Sequence, residues 1–142
     1  MTVLVDTDVL AAWINRREDR HEEAVELVDR ILEGTWGAPF VTDFVMDEAL
    51  TLLMVRRAPL RAVDRLLDVA RAPLSAGGPV LFPLVRVSDT AFQGAIPLFR
   101  RHYGRGLSFT DCSSLSTIEE RKFDAIASFD RGFDGLVARV GR

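Results

Sequence analysis

A single cysteine, Cys112, stands among the 142 residues. No disulfide can form within the chain, which favours a reducing compartment and reads Cys112 as a small buried packing residue. Lysine is equally scarce: Lys122 stands alone among 18 basic residues, so almost every positive charge is an arginine. Arginine suits bidentate contact with phosphate. The net charge is nevertheless −3, and strong phosphate binders are usually basic. Long hydrophobic runs are missing too. The longest, Ala49–Val55, is interrupted by Thr51 and is far too short to span a bilayer. Asp6 and Asp8 break the apolar opening and no basic region precedes it, so a signal peptide is not expected. The expectation is a cytoplasmic protein with no membrane partner. What is present is ordinary for a globular chain, 48% hydrophobic and 27% charged. The length suits one domain over residues 1–142.

Short apolar runs alternate with stretches of helical period. Val3-Leu4-Val5 predicts a strand buried on both faces, with Thr7 or Asp8 placed to cap a helix that runs through Trp13 to Asn15. After the polar turn Arg16–Arg20, the spacing of Ala24, Leu27, Val28, Ile31 and Leu32 predicts a helix over His21–Glu33, stopped by Gly34. A strand over Ala38–Val41 leads to a helix capped by Thr42 or Asp43 and reaching about Arg57. A further helix covers Leu60–Ala70, followed by a loop over Pro73–Pro79. A third strand is predicted over Leu81–Val87, at an edge because of Pro83. Ser88 caps a helix toward Tyr103, and Ser108 or Thr110 caps another over Asp111–Arg121. Ala125–Phe129 is a fourth strand and Leu136–Val140 a short fifth. Strands alternating with helices predict an α/β fold with a parallel sheet of four to five strands covered on both faces.

Ligands of such sheets sit beyond the carboxyl ends of the strands. Asp6 and Asp130 follow the first and fourth strands there, and the helices carrying Glu48 and Asp111 begin at that same edge. Glu48 is preferred to Asp47 because its helical neighbours Phe44, Val45, Leu52 and Val55 are all apolar, whereas Asp47 has Asp43, Leu50, Thr51 and Met54. Asp111 and Asp130 each have a bland explanation, whereas Asp6 ending a buried strand and Glu48 on an apolar face are harder to dismiss. An acid in the first turn of a helix opposes the helix dipole, and Asp130-Arg131-Gly132 has the composition of a polar turn. Together they pose an electrostatic problem, since two like charges about 4 Å apart repel by roughly 4 kcal/mol at an effective dielectric near 20. A hard divalent cation resolves it, and a set of oxygen ligands without His or Cys selects Mg²⁺ or Mn²⁺ over zinc. Metal-bound water is a nucleophile suited to phosphodiesters.

Four stretches then resemble the PIN-domain ribonucleases, and among them the VapC-type toxins of bacterial toxin–antitoxin pairs. They are Val5-Asp6-Thr7, Glu48-Ala49-Leu50-Thr51-Leu52-Leu53, Leu107-Ser108-Phe109-Thr110-Asp111-Cys112 and Ser128-Phe129-Asp130-Arg131-Gly132-Phe133. The resemblance covers nearly the whole chain. It implies a three-layer α/β/α fold and a Mg²⁺- or Mn²⁺-dependent endoribonuclease leaving a 5′-phosphate and a 3′-hydroxyl. Asp6, Glu48, Asp111 and Asp130 take the catalytic and metal-binding positions, Asp6 and Asp111 most firmly, with Thr7 and Ser128 in support. A homodimer and a small cognate antitoxin that inserts into the acidic groove are implied as well. Asp8 departs from the small or amide residue common at its position; it either adds charge to the site or caps the helix, and the cap is the expectation.

Arg16, Arg17 and Arg20, with Arg100, Arg101 and Arg105, are candidates to flank the acids and meet the RNA backbone, or else simply solvated surface charge. His21 and His102 are expected at helix ends, and Trp13 and Trp36 in the core or an interface. Leu27, Ile31, Leu52 and Leu66 are core by default, with a dimer face as the alternative. Two rival functions remain at this point. A haloacid-dehalogenase-type phosphatase would use Asp6 and Asp8, Thr42, Asp130 with Asp134, and Lys122, but leaves Glu48 and Asp111 without a role. A catalytically inactive PIN-like module would only bind RNA or protein.

Overall fold

The structure is a computed structural model that describes residues 1–71 and 82–141. The loop expected over Pro73–Pro79 lies outside them. The first strand, β1 (Thr2–Val5), ends at Asp6 and passes into α1 (Thr7–Ile14) and α2 (His21–Leu32). Next come β2 (Ala38–Thr42), α3 (Asp43–Val55), α4 (Leu60–Arg71) and the two-residue β3 (Leu84–Val85). After α5 (Asp89–Arg101) and α6 (Phe109–Arg121) the chain closes with β4 (Ala125–Ala127) and β5 (Arg139–Val140).

All pairings are parallel and the strand order is β3-β2-β1-β4-β5. The chain therefore builds outward from β1 to one edge, returns across the sheet and builds out to the other. That reversal makes the carboxyl end of β1 the switch point, the place where ligands of such sheets bind.

Alternation along the strands sorts the core into two layers. Val3 and Val5 face Leu10, Val28, Ile31, Leu53 and Leu66 from the first four helices, while Leu4 and Ile126 face Ala95, Leu115 and Ile118 from α5 and α6. The result is a three-layer α/β/α sandwich. Leu27, Ile31 and Leu66 are buried in it, so they do not form a dimer face.

Several boundaries follow from local chemistry. Thr42, Ser88 and Ser108 each accept a hydrogen bond from the backbone N–H three residues on, satisfying a first-turn donor. The strand predicted over Leu81–Val87 is only Leu84–Val85 within the described residues. Pro83 has no N–H to donate and contributes only its carbonyl, to Val41 at 3.1 Å. Gly37, at φ 96°, lies where a Cβ would come within 2.0 Å of the Met1 carbonyl oxygen, so only glycine lets β2 start beside β1.

Candidate metal centre

Asp6 sits at the reversal point. Its extended backbone makes it the N-cap of α1, and its N–H donates to the Ala127 carbonyl at 2.9 Å. The carboxyl group is turned inward and only 3% of the residue is exposed. Ser128, just past β4, donates its hydroxyl to Asp6 Oδ2 at 2.8 Å. Asp6 Oδ1 is buried with no hydrogen-bond partner, as is Thr7 Oγ1 beside it. Burial pushes the Asp6 carboxyl well above the usual carboxylate range, and the charges of Asp8 and Asp111 push it further. The Ser128 hydroxyl and the Thr7 N–H pull the other way.

Asp111 occupies the first turn of α6. It forms a capping box with Ser108, accepting the Ser108 N–H at 2.9 Å while its own N–H donates to the Ser108 hydroxyl at 3.0 Å. Its carboxyl is pushed up to about 6, first by burial, which outweighs the lowering by the Ser108 bonds, and then by Glu48 and Asp130. Glu48 is half-buried on the second turn of α3 while Asp47 is exposed, as the helical spacing required. Asp130 is exposed on the loop after β4. Its Oδ1 accepts the Gly132 N–H at 2.7 Å and its own N–H donates to Ser128 Oγ at 3.0 Å. Asp111 thus feels the charges of Glu48 and Asp130, and Asp6 feels that of Asp111, which links four segments.

Asp8 differs from its expected role. The capping position belongs to Asp6, and Asp8 lies inside the first turn. Its carboxylate accepts the Val9 N–H at 2.7 Å and, from the loop after β4, the Phe129 N–H at 3.1 Å. Burial raises its pKa, and Asp130 adds to the rise. Asp8 is therefore a fifth acid of the cluster. The reason is topological: β1 and β4 are neighbours, which brings the Phe129 backbone over α1's first turn.

Arg139 was not foreseen either. It projects from β5 toward this loop, with its charge felt by Asp130 and Asp8 as well as by its ion-pair partner Asp134. Among the arginines that were, Arg20 stacks over the Phe129 ring at 3.8 Å and Arg105 donates to the Gly132 and Asp134 carbonyls. Arg16, Arg17, Arg100 and Arg101 are exposed. His21 and His102 lie at helix ends, Cys112 is fully buried, and Trp13 packs edge-on against Phe82.

The donor chemistry suits a hard divalent cation. Every candidate ligand is an oxygen, one buried oxygen lacks a donor, and like charges raise one another's pKa. Among the described residues, no three acidic, thiol or imidazole side chains are already drawn together as ligands of one ion. The phosphatase alternative fares worse. Asp134 is held by Arg139, the Thr42 hydroxyl caps α3, and Lys122 closes the end of α6 remote from Asp111. At 1.5 Å per residue that helix separates the two by roughly 16 Å.

Comparison with known proteins agrees with this geometry. The model of the PIN domain family matches residues 3–137. A VapC ribonuclease of Archaeoglobus fulgidus is 31% identical over 143 aligned residues, covering 100% of this chain and 84% of the relative. The sarcin–ricin loop cleaving toxin VapC20 of Mycobacterium tuberculosis superposes with a TM-score of 0.73 at 25% identity, covering 92% of each chain. VapBC2 of Rickettsia felis, solved bound to a DNA fragment from its promoter, shares the fold at 12% identity, with a TM-score of 0.64 and coverage of 99% and 98%. With both the family model and a relative of this identity spanning nearly all of its length, the chain belongs to the PIN domain family.

Proposed function

We propose that the chain is the toxin of a type II toxin–antitoxin pair, an endoribonuclease whose Asp6, Glu48, Asp111 and Asp130 hold Mg²⁺ or Mn²⁺ and hydrolyse RNA phosphodiester bonds. Its kinship with a VapC ribonuclease supports the activity. The observation that carries the metal is Asp6: a buried carboxylate with one oxygen unpartnered, facing further acids rather than a cation. An unpaired buried charge of this kind is costly, and a divalent ion is the partner that removes the cost.

When bound, the ion lowers the pKa of a ligated water and offsets charge developing on the phosphate. The chain's own residues supply the rest. Ser128 orients Asp6 through one oxygen and leaves the other free to ligate. Ser108 holds one oxygen of Asp111 and leaves the second available. Asp130, exposed at the mouth, keeps Oδ1 on the Gly132 N–H and offers its other oxygen to an incoming ion or substrate. Water attacks phosphorus in line with the departing 3′ oxygen, which leaves with a proton, giving a 5′-phosphate and a 3′-hydroxyl. Arg20 and Arg105, on either side of the Asp130 loop, are the arginines positioned to meet flanking phosphates.

The same reading takes residues 1–142 as one nuclease domain, cytoplasmic, working as a homodimer and silenced by a cognate antitoxin that enters the acidic crevice. Among the described residues no helix is long and apolar enough to cross a membrane. Exposed apolar side chains at Met54, Val55 and Leu60, and at Phe92 and Ile96, are the surfaces available to those protein partners. The test is induction of the chain with and without its neighbouring open reading frame, followed by mapping of new RNA 5′ ends. Growth arrest and new 5′-phosphate ends are expected, both lost on coexpression and in Asp6→Ala. Arrest that persists in Asp6→Ala refutes the mechanism. RNA binding without cleavage in Mn²⁺ leaves only a binding module.

A further inference from the structure

Arg139 has no part in the hydrolysis just described, yet its side chain is only 10% exposed. Its guanidinium is committed on both sides. Nε and Nη2 donate to the two carboxylate oxygens of Asp134, at 2.7 and 3.3 Å. Nη1 donates to the Ser128 carbonyl at 2.9 Å and to that of Gly141 at 3.0 Å. Ser128 and Asp134 are the two ends of the segment that carries Asp130. Within it the Gly132 N–H donates to Asp130 Oδ1, and the Phe133 and Asp134 N–H groups donate to the Asp130 and Arg131 carbonyls. Outward, the Phe129 N–H meets Asp8 and the Gly132 and Asp134 carbonyls accept Arg105, while Arg139 is the side chain that bonds to both ends.

We propose that Arg139 is a positioning residue: by bridging Ser128 to Asp134 it fixes the loop between them, and so aims the Asp130 carboxylate and the Ser128 hydroxyl that holds Asp6. The inference rests on the reading of the acid cluster as the nuclease centre. A planar fork suits this task because it addresses a carboxylate along one edge and carbonyls along another. Lysine keeps the charge but offers a single nitrogen, so it cannot hold both ends at once. Gly141 provides an independent way to disturb the same joint. A Cβ there would lie 2.6 Å from the Ser128 carbonyl oxygen, on a backbone at φ 116°. Buried Phe133, next to Asp134, keeps the loop attached when Arg139 is changed.

Arg139→Lys, Arg139→Met and Gly141→Ala are compared in the full chain by three readouts. These are amide exchange of the metal-free protein, Mn²⁺ binding by electron paramagnetic resonance, and kcat and KM on an RNA oligonucleotide. For Arg139→Lys, exchange over residues 128–134 is expected to speed up by on the order of tenfold while β1 and β4 stay protected. Its kcat is expected to fall by on the order of tenfold to a hundredfold with KM changed by less than about threefold. Gly141→Ala is expected to move the same quantities in the same direction. Wild-type loop exchange or wild-type kcat in Arg139→Lys overturns the proposal, as does faster exchange spread evenly through β1 and β4. Should Arg139→Met fail to fold, the other two variants still decide. If Asp6→Asn keeps Mn²⁺ binding and cleavage, the nuclease-centre reading is what fails, and the exchange result in metal-free protein separates the two.

Discussion

Replacing Asp111 with asparagine is expected to make the metal-free protein more stable while destroying its function. The Asp111 carboxyl titrates at about 6 in the fold against an ordinary value of 3.8. Well below pH 3.8 it is protonated in both folded and unfolded chains, and the substitution gains nothing. Between these values the unfolded chain releases the proton and the folded one retains it, so stability falls as pH rises. Above about pH 6 the penalty is fully present, and it amounts to roughly 3 kcal/mol at most. Asparagine keeps an oxygen for the Ser108 N–H and carries no charge, so a gain of about 1–3 kcal/mol is expected at pH 8, or roughly 3–10 °C in Tm. Mn²⁺ should reverse the ranking. At a hundred times its Kd it stabilises the wild type by about 2.7 kcal/mol, and it should leave Asp111→Asn unmoved. Thermal melts with chelator and with Mn²⁺, at pH 5 and pH 8, measure all four quantities. A less stable Asp111→Asn at pH 8 in chelator, or an equal shift of both proteins by Mn²⁺, refutes the reasoning.

Glu48→Gln should reduce cleavage more severely than Asp8→Asn, for which a loss of about tenfold is expected because Asp8 acts through the Phe129 backbone. Initial rates on one RNA oligonucleotide compare them, and the reverse order counts against the assignment of Glu48. Ser128→Ala removes a hydrogen bond that lowers the Asp6 pKa, so the rising limb of the pH–rate profile should move to higher pH, and an unmoved limb contradicts this. Gly37→Ala forces a Cβ into the Met1 carbonyl from a left-handed backbone and should cost about 2–4 kcal/mol in denaturant unfolding. A cost below about 1 kcal/mol would mean that the start of β1 yields easily.

The parts legible from sequence were those settled over a few residues. Thr42, Ser88 and Ser108 cap their helices because the donor they satisfy lies three positions on. Helical spacing separated half-buried Glu48 from exposed Asp47 for the same reason. Asp8 escaped because its partner, the Phe129 N–H, lies 121 residues away, on a loop that only strand pairing brings over α1. Arg139 escaped because nothing near it in the chain distinguishes it from a surface arginine. Its acceptors are the ends of a loop that folds back on it. Likewise Arg20 and Arg105, but not their neighbours Arg16 and Arg101, have contacts to the Asp130 loop, a selection no charge pattern encodes.

The first strand made is the middle of the finished sheet. While a ribosome still holds the segment from Ala125 onward, Asp6 lacks the hydroxyl that orients it and β1 lacks one of its two neighbours. A growing chain therefore lacks a complete acid site until β4 has emerged from the ribosome. Nascent chains stalled before β4 should leave RNA intact, and the same chains carried through Val140 should not.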